Sequence, residues 1–348
     1  MATEVTKIID PNMGSGADYD SLYDWEAAQQ GDLTGARNEI AIAKCRCTGG
    51  TADTTAVTIN GWTTSATQYI KIWTDPAESY RHGGKWETGN KYRLEVAGDY
   101  HNIFVSQSHV RIVGLQIKNT IDDDSVRIIR IGTAATGSLI AQCIITGRST
   151  TYVYGNYSYA IRFETDGTGN HYIVNNLITF NVGTSKVEAA SIFADGTTGK
   201  NYIYNNTIVN QQSGYGIHGT WQQESVLKNN LIHNCATCFG SSFATGTGYN
   251  ASSDGSAPGT NSRINKTFTF VDSGAGDFHL DPNDIGALGF GLNLYNDADY
   301  PFQTDIDGQD RGGSGAQWDI GADEYVSSGG GGQSVVPLLI SLRRRRSQ

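Results

Sequence analysis

The sequence predicts an all-β chain folded as a right-handed single-stranded parallel β-helix, with a short helical N-terminal cap and an irregular C-terminal cap. Three observations carry that prediction. A strand-like unit recurs through the middle of the chain, the composition suits a β surface, and one short amphipathic helix stands near the N-terminus.

The recurring unit lies between residues 110 and 235. It reads Val113-Gly114-Leu115-Gln116-Ile117, then Ala141-Gln142-Cys143-Ile144-Ile145, Val174-Asn175-Asn176-Leu177-Ile178, Tyr204-Asn205-Asn206-Thr207-Ile208 and Lys228-Asn229-Asn230-Leu231-Ile232. The aligned isoleucines fall 28, 33, 30 and 24 residues apart. A period of roughly 20–50 residues with unequal insertions means stacked repeats whose length varies in outer loops. The unit is too short for a helix pair. It fits one solenoid coil of three short strands, rising about 4.8 Å by parallel pairing. The isoleucines then form an interior column. The Asn-Asn pairs fall where the chain bends, because Asn tolerates a left-handed backbone and stacked amides can bond up a ladder.

Composition agrees. Forty-three glycines against six prolines and two methionines describe many turns and few long helices. Charged residues are only 17%, so Asn, Thr, Ser, Gly and Tyr must supply the surface. The 38% hydrophobic content suffices for one core in 348 residues and is too low for a membrane protein.

Taken in order, residues 1–37 hold a strand, Glu4 to Ile9, a turn at Asp10-Pro11-Asn12, and a helix from about Asp20 to Gln29. Asp20 or Ser21 caps that helix, and Leu22, Trp25 and Ala28 share a face. A solenoid must cover its first coil, which gives this helix its physical role. Residues 38–240 carry the coils, with further β runs at Glu39–Lys44, Ala56–Ile59, Tyr69–Trp73, Tyr92–Val96 and Val110–Ile117. Residues 241–325 form the loop-rich C-terminal cap. Residues 326–348 are a Gly linker with an apolar and basic tail, expected to be an assembly element that docks on another subunit or a particle protein: Val335, Val336, Leu338, Leu339 and Ile340, then Arg343, Arg344, Arg345 and Arg346.

The net charge of −10 argues against a nucleic-acid partner, and the tail arginines are the only basic run. Five cysteines, two of them the close pair Cys45 and Cys47, argue against a disulfide framework. The first residues lack the apolar stretch of a Sec signal. The eight-residue run Val335 to Leu342 falls short of the roughly 20 residues of a membrane span.

The Asn-Asn-x-Ile units resemble the right-handed β-helices of the pectate-lyase-like superfamily. Asp277–Pro282, Thr304–Arg311 and Trp318-Asp319-Ile320-Gly321-Ala322-Asp323-Glu324-Tyr325 are similar to the closing segment of extracellular β-helix proteins. Cys45–Gly50 and Thr74-Asp75-Pro76 resemble β-helix proteins of tailed phages, prophages and environmental viral contigs. The resemblance spans residues 1 to about 325 and implies the fold and a viral setting. Activity does not follow from it, because one fold hosts many functions.

Several clusters invite chemistry. Asp122, Asp123 and Asp124, with Arg127 and Arg130 close behind, could bind Ca²⁺ and supply a basic arginine in a polysaccharide lyase. Consecutive strand residues point to opposite faces, so a solvated turn is the favoured reading. His218 in Ile217-His218-Gly219 suggests a glycosidase histidine, but its distance from the carboxylates along the chain defeats the close pairing a hydrolase needs. Asp305-x-Asp307-Gly308-x-Asp310 has Ala316 where a calcium loop needs its bidentate Glu, so a turn with Arg311 paired to a carboxylate is expected. Cys235-Ala236-Thr237-Cys238 is half a zinc motif, and Cys143 and Cys235 read as small core residues. No metal or other cofactor is expected. Tyr152, Tyr154, Tyr157 and Tyr159 alternate as a sugar-stacking row or an exposed loop, and Trp221 is a further aromatic candidate.

The sequence thus points first to a non-enzymatic structural or adhesive protein of a phage-like particle: a fibre, decoration or tail-associated β-helix on a virion or extracellular surface. Its expected partners are other virion or surface proteins, a host glycan and copies of itself in a homotrimer. The alternatives are a lyase or hydrolase of acidic polysaccharide and a bacterial surface adhesin.

Overall fold

The computed structural model describes residues 1–14, 16–98, 100–122, 125–149, 158–164, 169–182, 189–194, 199–209, 213–219 and 224–326. They form a right-handed parallel β-helix whose coils each visit three sheets in turn. Sheet I stacks Thr3–Ile9, Glu39–Cys45, Ile70–Trp73, Val110–Val113, Leu139–Ala141, His171–Val174, Asn201–Tyr204 and Ser225–Lys228. Sheet II stacks Arg93–Val96, Gln116–Asp122, Ile144–Ser149, Leu177–Val182, Thr207–Val209, Leu231–His233 and Ala251–Ser252. Sheet III stacks Val57–Ile59, Ile103–Val105, Arg127–Ile131, Tyr159–Phe163, Ala190–Ala194, Tyr215–His218 and Thr237–Gly240.

The isoleucine column is present as expected. Ile117, Ile145, Ile178, Ile208 and Ile232 pair in unbroken parallel register, and each is 0% exposed. Parallel columns run through sheet I (Ile112, Ile140, Ile173, Ile203, Leu227) and sheet III (Ile129, Ile161, Ile192, Ile217, Phe239). Burying each such side chain contributes about 1.5–3 kcal/mol, which is why the repeat keeps β-branched residues there.

The two asparagines of each pair have separate jobs. The first, at Asn175, Asn205 and Asn229, takes φ of 51–56° and turns the chain from sheet I to sheet II; Gln142 and Gly114 do the same on earlier coils. The second is buried and builds the ladder. Asn176 donates Nδ2–H to Asn206 Oδ1 at 2.9 Å, Asn206 to Asn230 at 3.0 Å, and Asn230 to Asn250 at 2.9 Å.

One α-helix, α1 (Leu22–Gln29), covers the N-terminal end. Ser21 caps it, its hydroxyl accepting from Asp24 N–H. Leu22 and Trp25 are buried as expected, and Trp25 packs on Trp62 with ring centroids 5.5 Å apart. The third inward residue is Glu26, not Ala28, which is exposed. The helix is only two turns long, so its i, i+3, i+4 face falls on Leu22, Trp25 and Glu26. The Glu26 carboxylate accepts from Asn60 N–H and Trp62 Nε1–H, which satisfies it inside the cap.

Parallel pairing continues past residue 240, through Gly248, Ala251–Ser252, Thr260 and Arg263. After a hairpin of Phe270–Asp272 with Asp277–Leu280, the chain turns back along the flank as a strap. Leu294, Tyr300, Phe302 and Trp318 cover outward apolar residues of sheet I, including Val113, Val174 and Tyr204. Phe278, Ile306 and Ala322 cover Ile144, Leu177 and Val209 of sheet II. The left-handed turn residues hold the strap: Asn175 donates to Thr304 O at 2.7 Å, Asn205 to Gly321 O at 3.1 Å and Asn229 to Leu292 O at 2.8 Å. No helix among the described residues is long and apolar enough to cross a membrane.

Candidate functional site

Sheet III carries a different outward surface. In Arg127–Ile131 and Tyr159–Phe163 the side chains of Ile129, Ile131, Ile161 and Phe163 point into the core, so Arg130 and Arg162 point out. Register aligns one outward row across five coils: Phe104, Arg130, Arg162, Phe193 and His218. A second row runs Arg127, Tyr159, Ala190, Tyr215.

Three guanidinium groups converge on one carboxylate. Arg130 reaches Glu164 at 2.5 Å, Arg162 at 3.2 Å, and Arg127 Nε stands 3.8 Å away, too far for a hydrogen bond. The side chains keep 30%, 19% and 28% of their surface exposed, respectively. Burial first, and then the adjacent Arg162, hold the Arg127 guanidinium below its ordinary value. Aromatic rings frame the cations. Arg130 lies 4.3 Å from the Phe104 ring centroid, and Arg162 lies 4.9 Å from Tyr159 and 5.2 Å from Phe193. His218 stacks on Tyr215 at 4.0 Å with planes 15° apart. None of the seven strands of sheet III contributes an Asp or Glu. Among the described residues the arrangement is an aromatic-lined cluster with more positive charge than the Glu164 carboxylate balances.

Residues singled out separately in the sequence therefore meet here: Arg127, Tyr159 and His218 share one sheet face. Tyr159 differs from expectation. It is 1% exposed, packed on Phe193 at 4.7 Å beneath Arg162, and so anchors the arginine instead of offering a bare ring. His218 lies three coils from Arg127, about 14 Å at the parallel-strand spacing, so the two do not act as an acid–base pair. Asp122 ends a sheet II strand with its carboxylate 3.4 Å from Arg148 Nε. Asp123, Asp124, Tyr152, Tyr154, Tyr157, Trp221 and the tail residues lie outside the described residues. Sequence reading singled out Arg127 and Arg130 but missed Arg162 and Glu164. The available signal was a charged residue between buried Ile and Phe positions at the same place in successive coils.

Two other polar clusters lie on sheet II and in the strap. A groove of about 400 Å³ on sheet II is lined by Lys118, Thr120, Thr146 and Arg148. Its hydroxyls already donate to Val96 O and Thr179 O, and Arg148 faces Asp122, so the surface is largely satisfied. In the strap, Asp305, Asp307 and Asp323 each bring a carboxylate oxygen within 4.8 Å of the others and are the residues that could hold a hard cation. Protein groups already engage them. Asp305 accepts from the N–H groups of Asp307, Gln309 and Glu324, and Asp323 accepts from Leu280 N–H. His279 sits between Asp277 at 2.5 Å and Asp307 at 3.7 Å, and these carboxylates, Asp307 foremost, lift its pKa to about 9. The expected pairing of Arg311 is present, with Glu324 Oε2 at 2.9 Å.

No protein family and no curated protein matches the chain significantly in sequence. Among solved structures it is similar to the crystal structure of pectate lyase Pel9A. That likeness has a TM-score of 0.37 at 13% identity, and it covers 94% of this chain and 97% of that one. No substrate or activity is taken from it.

Proposed function

We propose that this chain is a non-enzymatic β-helix that binds an acidic glycan across the outer face of sheet III. The observation that carries the reading is the convergence of Arg127, Arg130 and Arg162 on the single carboxylate of Glu164, beside Phe104, Tyr159 and Phe193. A guanidinium fork matches a carboxylate or sulfate bidentately, and the rings of Phe104, Tyr159 and Phe193 hold the forks in place. The net charge of −10 does not oppose this, because at physiological salt charges beyond about 8 Å are screened and the local cluster dominates.

Hydrolysis would require a second carboxylate at roughly 5–9.5 Å, and among the described residues the strands of this face supply none. Adhesion is therefore preferred over cleavage. A surface setting, on a phage-like particle or a cell, is part of the same proposal, since a stiff rod of continuous ladders suits the display of one binding face. Assembly as a homotrimer or against particle proteins belongs to the same proposal.

The test is affinity electrophoresis in gels containing polygalacturonate, a sulfated glycan or a neutral glucan. Retardation by the acidic polymers is expected, with Kd raised at least tenfold in Arg130→Ala/Arg162→Ala if each lost charge-assisted contact costs about 1.5–3 kcal/mol. Equal retardation by the neutral glucan, or full binding by the double variant, would overturn the reading. Release of unsaturated or reducing ends from the acidic polymers would replace adhesion by catalysis.

A further inference from the structure

Sheet I carries a cation pair of its own on its early coils. Ile70 and Ile72 point into the core, so Tyr69, Lys71 and Trp73 point out. The outward row through Lys71 runs Thr6, Ile42, Lys71, Arg111, Leu139, Tyr172 in parallel register. Lys71 and Arg111 therefore stand directly opposite each other on adjacent coils, with about 4.8 Å between their backbones. Like charges so placed repel. Each lies on an aromatic ring: Lys71 Nζ is 3.4 Å from the Trp73 ring centroid, and the Arg111 guanidinium carbon is 3.5 Å from that of Tyr69. The rings fix the two side chains but balance neither charge. Among the described residues neither cation has a hydrogen-bond acceptor or an ion-pair partner, and the Trp73 Nε1–H is buried without an acceptor. Two carboxylates act on Lys71 through their charge: Glu4 is exposed, and Asp75 is held by Lys44 at 2.9 Å. Burial foremost, opposed by Glu4 and reinforced by Arg111, lowers Lys71 to about 8, and burial also lowers Arg111. The flanking Ile42 and Leu139 are buried, whereas Lys71 and Arg111 stay partly open to solvent. With 35 acidic residues against 25 basic ones, composition does not force two neighbouring cations to go without a carboxylate.

We propose that Lys71 and Arg111 form a binding site for a tetrahedral oxyanion, the phosphate or sulfate group of a small ester. The guanidinium fork takes two of its oxygens and the ammonium a third, a set that a carboxylate lacks. The bound anion removes the repulsion between the two coils. Ile42 and Leu139 on either side of the pair lower the local dielectric, so the attraction exceeds that of an open surface. The site lies on sheet I and does not rest on the glycan reading of sheet III.

The experiment titrates inorganic phosphate calorimetrically into the full chain at low ionic strength, with sulfate and acetate run alongside. The variant Arg130→Ala/Arg162→Ala takes the sheet III cluster out of the measurement. In it phosphate or sulfate should still bind once per chain, with acetate at least about tenfold weaker. Adding Lys71→Met or Arg111→Met, which keeps an apolar stem over the ring, should weaken that binding at least about tenfold. Thermal unfolding supplies a second reading. Phosphate or sulfate should raise the Tm of the parent and leave that of Lys71→Met unchanged. Without anion Lys71→Met should be at least as stable as the parent, because it relieves the repulsion. Anion binding that survives both methionine variants, binding lost with Arg130→Ala/Arg162→Ala, acetate binding equal to phosphate and sulfate, or a parent Tm that neither oxyanion raises would each overturn the proposal.

Discussion

Arg311→Ala should release the strap while leaving the solenoid folded. The Arg311 side chain is 0% exposed and reaches Glu324 Oε2 at 2.9 Å, Asn175 Oδ1 at 3.0 Å, Gly321 O at 2.9 Å and Ala322 O at 2.8 Å. It ties two parts of the strap to a turn of the helix. Without it, three neutral acceptors lose their donor at about 1 kcal/mol or more each. The Glu324 carboxyl, which burial has pushed up to about 7, limits its own penalty by taking a proton. The sum, about 3–5 kcal/mol, matches the usual cost of removing one partner from a buried pair. Limited proteolysis should then cut within residues 277–326 and leave a resistant core, and urea unfolding should show an early transition of the strap. A variant that resists protease as the parent does, with less than about 1 kcal/mol of change, would show that the apolar contacts alone hold the strap.

Three further outcomes are expected. Ile178→Asp places an unpaired charge in the interior column and should cost several kcal/mol, abolishing soluble β circular dichroism at 37 °C; a soluble variant with a parental spectrum would contradict the column. Strap stability should fall between about pH 5 and pH 9. Burial foremost raises Asp323 to about 6 and Glu324 to about 7, so the folded state binds their protons more tightly and loses that advantage as pH rises through those values. His279, raised to about 9, stabilises fully below its ordinary value and ceases to as pH passes 9, whereas Asp307, held low chiefly by His279, protects only above its ordinary value. Protease resistance of the strap that holds or rises from pH 5.5 to 9 would contradict this sign. Deleting residues 329–348 should leave the circular dichroism unchanged but abolish oligomerisation or particle incorporation; a truncated chain that assembles normally would remove the tail from the proposal.

The interior of the solenoid was legible because its signal is local and repeated. Each repeat puts an isoleucine at the same place, the last three put an asparagine pair before it, and a one-residue slip would turn the whole set outward. What was not legible is which outward residues are covered. Leu139-Ile140-Ala141 and Asn201-Ile203 with its flanking tyrosines are buried on both faces, a pattern of strands packed from two sides. The partner that covers them lies more than a hundred residues later in a segment with almost no regular structure. Nothing in Asp305-Ile306-Asp307-Gly308 alone says that Ile306 will rest on Leu177. Arg311 shows the limit from the other side. Its pairing to a carboxylate was readable nearby, but its bond to Asn175 depends on the left-handed turn of a distant coil.

The strap also bears on why the proposed binding face falls where it does. Over the central coils the outward faces of sheets I and II are consumed by packing, with Val174, Tyr204, Ile144 and Leu177 as the apolar ground. On sheet III the outward cluster of Tyr159, Ala190, Phe193 and Tyr215 includes no strap residue. Arginine and aromatic side chains at those positions cannot be explained as a floor for another segment of this chain among the described residues. Three guanidinium groups crowded on one carboxylate are also a costly surface, since burial first and then the neighbouring Arg162 hold Arg127 below its ordinary value. Such local conflict persists where something other than folding benefits from it, which is the physical argument for a ligand that brings the missing negative charge.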